Sequence, residues 1–367
     1  MLSYDLHARQ TRYFRLSSEI AHLDNAQLRS LFDATETRRG WGRNHVLDIG
    51  RSKVFVKRLP LTDLEYDNLF STKNLYELPV VYNYGVGSAG FGVFRELLAH
   101  IKTTNWVLEG AIANFPLLYH YRIIPFSGER PEVDRERLRE YVEYWDSNEN
   151  VERRMLGRLT AKHELALFLE HIPYEIEPWL LEKPHNINPV LEDLRTAITF
   201  LRKNGIVHFD VNFDNIVTDG EQAYLTDFGL VLDKRFTLTE DEALFLKKNT
   251  YYDYGSLLGS VDLLLFTTYK SLSDVEKRKI MKKYGIAEEL HVGAQTSILL
   301  SNIEAVLADD IKLDETYAAT LVKYHGIVKL FLDFYVSMRE SNRKDTNFPN
   351  TRLAGLLKET GFLSGRI

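Results

Sequence analysis

The chain has 367 residues, of which 44% are hydrophobic and 27% charged, so it has the composition of a globular protein with one large or two modest domains. Its formal net charge of −6 argues against a nucleic-acid-binding protein that neutralises phosphates, and the lack of cysteine excludes disulfides, thiol catalysis and cysteine-based zinc sites. The first residues carry no apolar signal-peptide run, and no later run reaches membrane-spanning length, so we expect a cytoplasmic protein that does not enter a membrane.

The first half of the chain is predicted to be rich in strands after a helical start. Apolar spacing over residues 18–34 predicts a helix that breaks near Asp24 and Asn25. Gly40-Trp41-Gly42 then precedes a predicted β-hairpin that ends at Lys57. Further strands are predicted at residues 80–84, 115–125 and 164–173, with a helix from residue 94 and a charged helical insertion over residues 126–160.

Helical spacing dominates the second half. A predicted helix over residues 190–204 is followed by Gly205, a residue typical of helix ends. Thr239 and Glu242 have the spacing of a capping box. Further helices are predicted at residues 239–246, 254–269, 274–284 and 314–339. A strand-rich front and a helix-rich back together predict an α+β fold with two lobes.

The segment with the most chemical information is His208-Phe209-Asp210-Val211-Asn212-Phe213-Asp214-Asn215, which Asp227-Phe228-Gly229 follows. The residues between these motifs read as strand, Asp-Gly turn and strand, and such a hairpin would fold Asn215 and Asp227 back toward Asp210. This arrangement suits a Mg²⁺ ion on a nucleotide, with a carboxylate facing an incoming hydroxyl.

The pattern resembles the catalytic and metal-binding loops of the protein-kinase-like superfamily. The resemblance implies a bilobal protein-kinase-like fold that uses ATP and Mg²⁺. It implies that Asp210 is the general base and that Asn215 and Asp227 are the metal ligands. The expected organisation is a helical extension (1–36), a β-rich N-lobe with insertions (37–170, with 58–92 and 126–160 inserted) and a mostly α-helical C-lobe (171–367), which contains the catalytic loop (208–215) and the metal loop (227–229).

The same resemblance suggests how ATP would be bound. Lys57 ends a Val-Phe-Val strand and resembles the lysine that binds the α- and β-phosphates. Gly40 and Gly42 would let backbone N–H groups approach the phosphates. Glu170 and Ile172 lie where the family has the hinge that binds the adenine edge.

The predicted lysine needs an acidic partner. Glu96, on the helix that leads into the strand at residues 115–125, is our choice. Glu65 is closer to Lys57 in sequence, but its spacing from Thr62 already has an explanation as a capping box. Asp253 is expected either to brace the catalytic loop from below or to be an ordinary acid at a helix start.

The resemblance implies an atypical bacterial-type protein kinase that phosphorylates a Ser or Thr hydroxyl of a protein substrate. Two departures bear on the substrate: Asn212 replaces a lysine of Ser/Thr protein kinases, and no Ala-Pro-Glu follows Gly229. They leave open a small-molecule kinase of the aminoglycoside or sugar type, although such enzymes commonly lack the Phe-Gly that this chain keeps. A pseudokinase that acts as a binding module is the alternative from another class, and nucleotide transfer by the same metal ligands is also open.

Overall fold

The computed structural model describes residues 6–35, 43–127, 132–341 and 343–363, and it shows the mixed α+β fold that the sequence predicts. The strands are β1 (Arg43–Ile49), β2 (Ser52–Leu61), β3 (Leu118–Pro125), β4 (His163–Glu170), β5 (Tyr174–Glu175), β6 (Ile206–Val207), β7 (Ile216–Thr218), β8 (Ala223–Leu225) and β9 (Leu232–Asp233). The α-helices are α1 (Leu6–Ala21), α2 (Asn25–Asp33), α3 (Asp63–Tyr66), α4 (Val93–Leu108), α5 (Arg135–Tyr144), α6 (Glu149–Leu159), α7 (Ile176–Glu182), α8 (Ile187–Lys203), α9 (Glu240–Lys248), α10 (Tyr252–Gly259), α11 (Leu263–Ser271), α12 (Asp274–Tyr284), α13 (Val292–Ser301), α14 (Ile303–Asp309), α15 (Glu315–Glu340) and α16 (Asn350–Glu359).

The chain divides into two compact units. The first contains Met1–Pro173 and Tyr224–Leu244, and the second contains Tyr174–Ala223 and Phe245–Ile367. The first unit therefore includes the predicted metal loop at residues 227–229. The organisation expected from the sequence places this loop in the C-lobe instead. The chain passes from one unit to the other within β8 and again within α9.

A four-stranded antiparallel sheet is the scaffold of the first unit, with the strand order β1-β2-β4-β3. β1 and β2 form the hairpin predicted before Lys57. Gly50 lies in its turn with a φ of 59°, a conformation that glycine adopts without steric cost. Val54 and Val56 of β2 are fully buried, as β-branched residues in an inner strand commonly are. Lys57 follows them and lies opposite Leu167 of β4.

Helix α4 packs on the face of this sheet that carries Lys57. Because side chains alternate along a strand, Lys57, Leu59 and Leu61 point to the same face of β2. Leu59 and Leu61 pack in one apolar core with Phe94 and Leu97 of α4. Full burial of each such side chain is worth about 1.5–3 kcal/mol. This packing holds the first turn of α4 against β2 at the level of Lys57.

Helix α1 is fixed to the first unit by a buried arginine. α1 packs against β3 and α4, and the Arg9 side chain is only 3% exposed. Arg9 donates hydrogen bonds to the carbonyl oxygens of Ala113 (2.9 Å) and Phe115 (2.8 Å). It also donates to the Glu170 carboxylate at 2.5 Å. Glu170 lies at the end of β4, so this ion pair joins the N-terminal helix to the end of an inner strand.

The strand predicted at residues 80–84 is wrong, because this segment is a 3₁₀ helix. Pro79 precedes it and has no N–H for a strand ladder. Asn83 closes the turn locally, since its side-chain amide donates to the carbonyl oxygen of Val80 at 2.9 Å. Tyr82, Asn83 and Tyr84 are all buried, so the alternating exposure of a half-buried strand is absent.

The described part of the charged insertion is helical, as predicted. Asp134 and Asn148 cap α5 and α6, and their side chains accept hydrogen bonds from backbone N–H groups of the first turns. Arg154 of α6 is 1% exposed and pairs with Glu65 at 3.0 Å. The insertion is therefore tied to buried polar groups of the first unit.

The second unit is built around the long helix α15, which packs against α8, α10, α13 and α16. Within this unit, β5 and β7 run antiparallel, with Tyr174 opposite Thr218. Helix α8 is followed by Gly205 with a φ of 77°, as its predicted end requires. Across the described residues of the chain, none of the helices has both the length and the apolar character needed to cross a membrane.

We predict that Arg9→Ala lowers the free energy of unfolding by about 3–5 kcal/mol, because it leaves the buried Glu170 carboxylate without its buried partner. Arg12 provides a matched control on the same helix. It reaches the same carboxylate at 3.4 Å, but its side chain is 45% exposed, so Arg12→Ala should cost about 0–1 kcal/mol. Urea denaturation of both variants tests this, and equal losses would contradict a stabilising role specific to Arg9.

Candidate active site

Lys57 lies between two carboxylates in the first unit. Its Nζ is 2.8 Å from Glu96 Oε1 and 2.8 Å from Asp227 Oδ2. The side chains of Lys57 and Glu96 are 9% and 5% exposed, whereas that of Asp227 is 34% exposed. One ammonium group therefore joins three segments that are far apart in sequence: the strand β2, the helix α4 and the loop after β8.

Glu96, and not Glu65, is the acid in contact with Lys57. Glu65 accepts hydrogen bonds from the backbone and hydroxyl of Thr62, which completes the capping box of α3. It also pairs with Arg154 and accepts the backbone N–H of Val93 at 3.1 Å. These contacts fix Glu65 as the acid that joins α3, α6 and the start of α4.

The charge balance of the Lys57 cluster favours binding of a further cation. Burial alone would lower the pKa of Lys57, but the Asp227 and Glu96 carboxylates outweigh burial and raise this pKa above its usual range. Lys57 therefore stays protonated at neutral pH. Two carboxylates around one ammonium leave one negative charge in excess, and Asp227 is the member of the cluster most exposed to solvent.

The loop that carries Asp227 is held in a strained conformation. Asp227 has a φ of 60°, which is uncommon for a residue with a side chain and costs about 1–3 kcal/mol. The Phe228 ring is fully buried and lies against His100 of α4, with ring centroids 4.9 Å apart. The carbonyl oxygen of Gly229 accepts the N–H of Phe91 at 3.2 Å. These contacts keep the Asp227 carboxylate next to Lys57.

Gly229 lies directly beside the carboxylates of the cluster. The left-handed residue of this turn is Asp227 and not the glycine. A Cβ at position 229 would lie 3.2 Å from Asp227 Oδ1 and 3.6 Å from Glu96 Oε2. A side chain there would crowd the Asp227 carboxylate, whereas its distance to Glu96 would be an ordinary van der Waals contact.

Asp210 is oriented by two amide side chains in the second unit. Its Oδ1 accepts a hydrogen bond from Asn212 Nδ2 at 2.8 Å, and its Oδ2 accepts one from Asn215 Nδ2 at 2.7 Å. Asn215 Nδ2 also donates to the Asp210 carbonyl oxygen at 2.9 Å. The backbone N–H of Asp210 donates to His208 Nδ1 at 3.2 Å, so His208 holds the loop.

Asp253 braces this loop from the start of α10. Its carboxylate accepts the backbone N–H groups of His208 and Phe209, each at 2.8 Å. Phe209 has a φ of 67°, so a second strained residue directly precedes Asp210. Asp253 is 2% exposed, and burial raises its pKa to about 7. Of the two readings open for Asp253 in the sequence, the geometry matches the brace.

The two predicted metal ligands belong to different units, Asp227 to the first and Asn215 to the second. Both offer the hard oxygen donors that Mg²⁺ prefers. Since the amide nitrogen of Asn215 is used for two hydrogen bonds to Asp210, its amide oxygen is the atom that would bind a metal. Among the described residues, no group of three or more His, Asp or Glu side chains is arranged to hold a metal without help from such an amide.

The remaining predicted nucleotide-binding residues are less informative. Gly40 and Gly42 lie outside the described residues. The Glu170 side chain is bound by Arg9 and by the N–H of Leu117, and its backbone N–H donates to the Leu117 carbonyl oxygen at 2.7 Å. Ile172 is partly exposed in the connector after β4. A contact of this connector with adenine stays a prediction.

Sequence reasoning missed two residues that shape the site. In the sequence, Asn212 stands out only as the replacement of a lysine, whereas in the structure its amide donates to the Asp210 carboxylate. Its spacing of two residues from Asp210 is the signal that points to this contact. Arg9 has no comparable signal, because an arginine in an amphipathic helix is ordinarily solvated.

No protein-family model matches the chain, and no curated protein matches it in sequence.

We predict that Asp253→Ala destabilises the second unit by about 2–4 kcal/mol, since it leaves two buried N–H groups unpaired and removes the support for the strained Phe209. Asp241→Ala is the control, because Asp241 is an exposed acid in the first turn of α9 and should cost less than about 1 kcal/mol. Chemical denaturation measures both. A loss for Asp253→Ala no greater than the control would contradict the brace.

Proposed function

We propose that this chain is an ATP- and Mg²⁺-dependent phosphotransferase with a protein-kinase-like bilobal fold, and that it transfers the γ-phosphoryl group of ATP to a hydroxyl. The observation that carries the proposal is the contact of Lys57 with both Glu96 and Asp227. Each of these residues belongs to a different sequence motif, and their meeting at one ammonium group is the arrangement that such a nucleotide site needs.

Lys57 would bind phosphate oxygens of ATP. Glu96 lies within 2.8 Å of its ammonium group and restricts where that group points, while the raised pKa keeps it charged. A fixed positive charge that is partly removed from water interacts more strongly with phosphate than a solvated one.

Asp227 and Asn215 would hold Mg²⁺, which when bound neutralises charge on the transferred phosphoryl group. Both residues fit this role by donor chemistry. The negative charge in excess around Lys57 and the 34% exposure of Asp227 make its carboxylate available to a cation.

Asp210 would orient the acceptor hydroxyl and accept its proton. The acceptor oxygen forms a bond to the γ-phosphorus, the bond from this phosphorus to the β–γ bridging oxygen breaks, and ADP leaves. Asn212 and Asn215 hold the two oxygens of the Asp210 carboxylate, so its direction is fixed before the acceptor arrives. Such preorganised positioning is the main contribution that a protein makes to phosphoryl transfer.

A protein Ser or Thr is the acceptor that the sequence favours. A small-molecule acceptor is the second candidate, and one observation favours it. A cavity of about 690 Å³ in the second unit is lined by Asn212, Phe213 and Asp214 of the Asp210 loop. This volume falls in the range of about 300–1,000 Å³ that is common for small-molecule sites.

We predict that Asp210→Asn lowers phosphoryl transfer by about 10²–10⁴-fold, the usual effect of losing a general base. Asp227→Asn should be similarly impaired, because it removes a metal-binding charge. Glu221→Gln, a change of an exposed acid in the same stretch of chain, should keep wild-type activity. The assay follows label from γ-labelled ATP with Mg²⁺ into the chain, an added protein or small hydroxyl compounds.

Circular dichroism would show whether each variant is folded. Undiminished transfer in both aspartate variants would refute the assignment, and an absence of transfer by the wild type toward every acceptor would favour a pseudokinase. Label that is transferred from α-labelled ATP would instead indicate nucleotide transfer.

A further inference from the structure

A glycine-rich segment, residues 85–92, lies directly before α4 in the first unit. The structure describes all eight of these residues, which form neither a helix nor a strand, and four of them are glycines. Gly85, Gly87 and Gly90 have φ values of 75°, 78° and 78°. Glycine adopts many backbone conformations, so contacts with other elements have to fix the path of this segment.

The glycine-rich segment contacts the metal loop. The backbone N–H of Phe91 donates to the carbonyl oxygen of Gly229 at 3.2 Å. A Cβ at Gly90 would lie 3.1 Å from the same oxygen, so the two backbones approach each other closely. The N–H of Gly229 in turn donates to Asp227 Oδ1 at 3.2 Å. A shift of residues 90–91 would therefore move the glycine that supports the Asp227 carboxylate.

Helix α5 of the insertion holds the same segment through tyrosine hydroxyl groups. The Tyr82 hydroxyl accepts the backbone N–H of Ala89 at 2.9 Å and lies 2.5 Å from the Tyr141 hydroxyl of α5. The Tyr144 hydroxyl of α5 donates to the carbonyl oxygen of Val86 at 3.0 Å. Tyr82 is fully buried, and a buried tyrosine hydroxyl usually requires a hydrogen-bond partner within the protein.

The insertion is itself fixed to the start of α4. Arg154 of α6 pairs with Glu65 at 3.0 Å, and the two side chains are 1% and 3% exposed. Glu65 Oε1 accepts the N–H of Val93, the first residue of α4, at 3.1 Å. Since α5 packs on α6, the tyrosines of α5 are held in place relative to the helix that carries Glu96.

Helix α6 also acts on Glu96 through charge. Burial raises the pKa of Glu96, and the positive charges of Lys57 and Arg158 oppose this shift. Arg158 lies one helical turn after Arg154 on α6, so both arginines are on the same face of this helix. The insertion therefore contributes charge as well as contacts to the surroundings of the Lys57 cluster.

We propose that the insertion helices α5 and α6 position the metal loop, and that Tyr82 and Tyr141 are positioning residues for the binding of ATP with Mg²⁺. This inference rests on the proposed phosphotransferase function. The two hydroxyl groups hold Ala89, the glycine-rich segment holds Gly229, and Gly229 holds the Asp227 carboxylate. Both tyrosines act through this chain of contacts and take no part in the chemical step.

Hydrogen–deuterium exchange of the full chain without nucleotide tests the coupling. Tyr82→Phe removes the acceptor of the Ala89 N–H, and Tyr141→Phe removes the hydroxyl that contacts Tyr82, while both variants keep the aromatic ring. In both we expect amides of residues 85–92 and of residues 227–231 to exchange about 2- to 10-fold faster, the effect of losing one hydrogen bond. Purely local packing would change residues 85–92 alone.

Metal titration tests the consequence for the site. Mn²⁺ is the probe, because it takes the same hard oxygen ligands as Mg²⁺, and electron paramagnetic resonance measures free Mn²⁺ in the presence of a non-hydrolysable ATP analogue. We expect about tenfold weaker Mn²⁺ binding in Tyr82→Phe, the lower end of the effect usual for residues that orient metal ligands.

The label-transfer assay separates positioning from simple loss of folded protein. In Tyr82→Phe, the Mg²⁺ concentration that gives half-maximal transfer should rise by about tenfold as well. A smaller folded fraction would instead lower the maximal rate and leave this concentration unchanged. Tyr141 is only partly buried, so Tyr141→Phe serves as the second variant if Tyr82→Phe does not fold.

Tyr66→Phe and Arg139→Met are the controls and should match the wild type in every measurement. Tyr66 is 40% exposed and stacks on His163, a contact that a phenylalanine ring keeps. Arg139 lies on α5, and its side chain is 68% exposed.

Unchanged exchange at residues 227–231 in both tyrosine variants would overturn the inference. Unchanged Mn²⁺ affinity in both variants would also overturn it, and would leave the phosphotransferase function standing if the wild type transfers label. A wild type that neither binds Mn²⁺ with the ATP analogue nor transfers label would contradict the proposed function, whereas the exchange at residues 227–231 would still decide whether the insertion holds the metal loop.

Discussion

The burial of one ammonium group, Lys57, between the carboxylates of Glu96 and Asp227 is the constraint on which the candidate site depends. A charge that is removed from water costs several kcal/mol unless opposite charges replace the lost hydration. Lys57 obtains those charges from a helix and a loop that are distant in sequence. The strand β2, the helix α4 and the loop at residues 227–229 must therefore all be in place before the lysine is stabilised.

The Asp210 loop also depends on a buried carboxylate, here one that supports a strained backbone. A backbone strained at Phe209 persists because a buried carboxylate, Asp253, accepts two of its N–H groups. The strained residue Asp227 is likewise held by the packing of Phe228 against α4. In both places, contacts that position an acid offset the free-energy cost of an unfavourable φ. Strain of this kind is typical of functional sites.

The sequence predicted much of this arrangement, for physical reasons that can be named. Long amphipathic helices such as α8 and α15 have clear apolar spacing and end signals. The helices α13, α14 and α16 were not predicted. α13 shows why, because it buries Gln295, Thr296 and Ser297 together with its leucines and so lacks an apolar face. The strand predicted at residues 80–84 was wrong because Pro79 and Asn83 favour a local turn over a ladder.

Within the site, local sequence patterns predict more residues than long-range ones do. The acids and amides around Asp210 lie within one short motif, and Glu96 is predicted because its helix leads into the strand at residues 115–125. Period-two alternation on β2 explains why that choice agrees with the structure, since Lys57 shares a face with the leucines that pack on α4. The buried pair of Arg9 with Glu170 and the cavity beside the Asp210 loop depend on tertiary packing alone, and no spacing in the sequence signals either.

The central proposal is that the Lys57 cluster of the first unit binds the phosphates of ATP, with Asp227 as a ligand of the Mg²⁺ ion. A crystal structure with Mg²⁺ and a non-hydrolysable ATP analogue tests it most directly. We predict Lys57 Nζ in contact with phosphate oxygens and a Mg²⁺ bound by Asp227 at about 2.0–2.1 Å. A nucleotide bound away from Lys57, or a metal that Asp227 does not contact, would contradict the proposal.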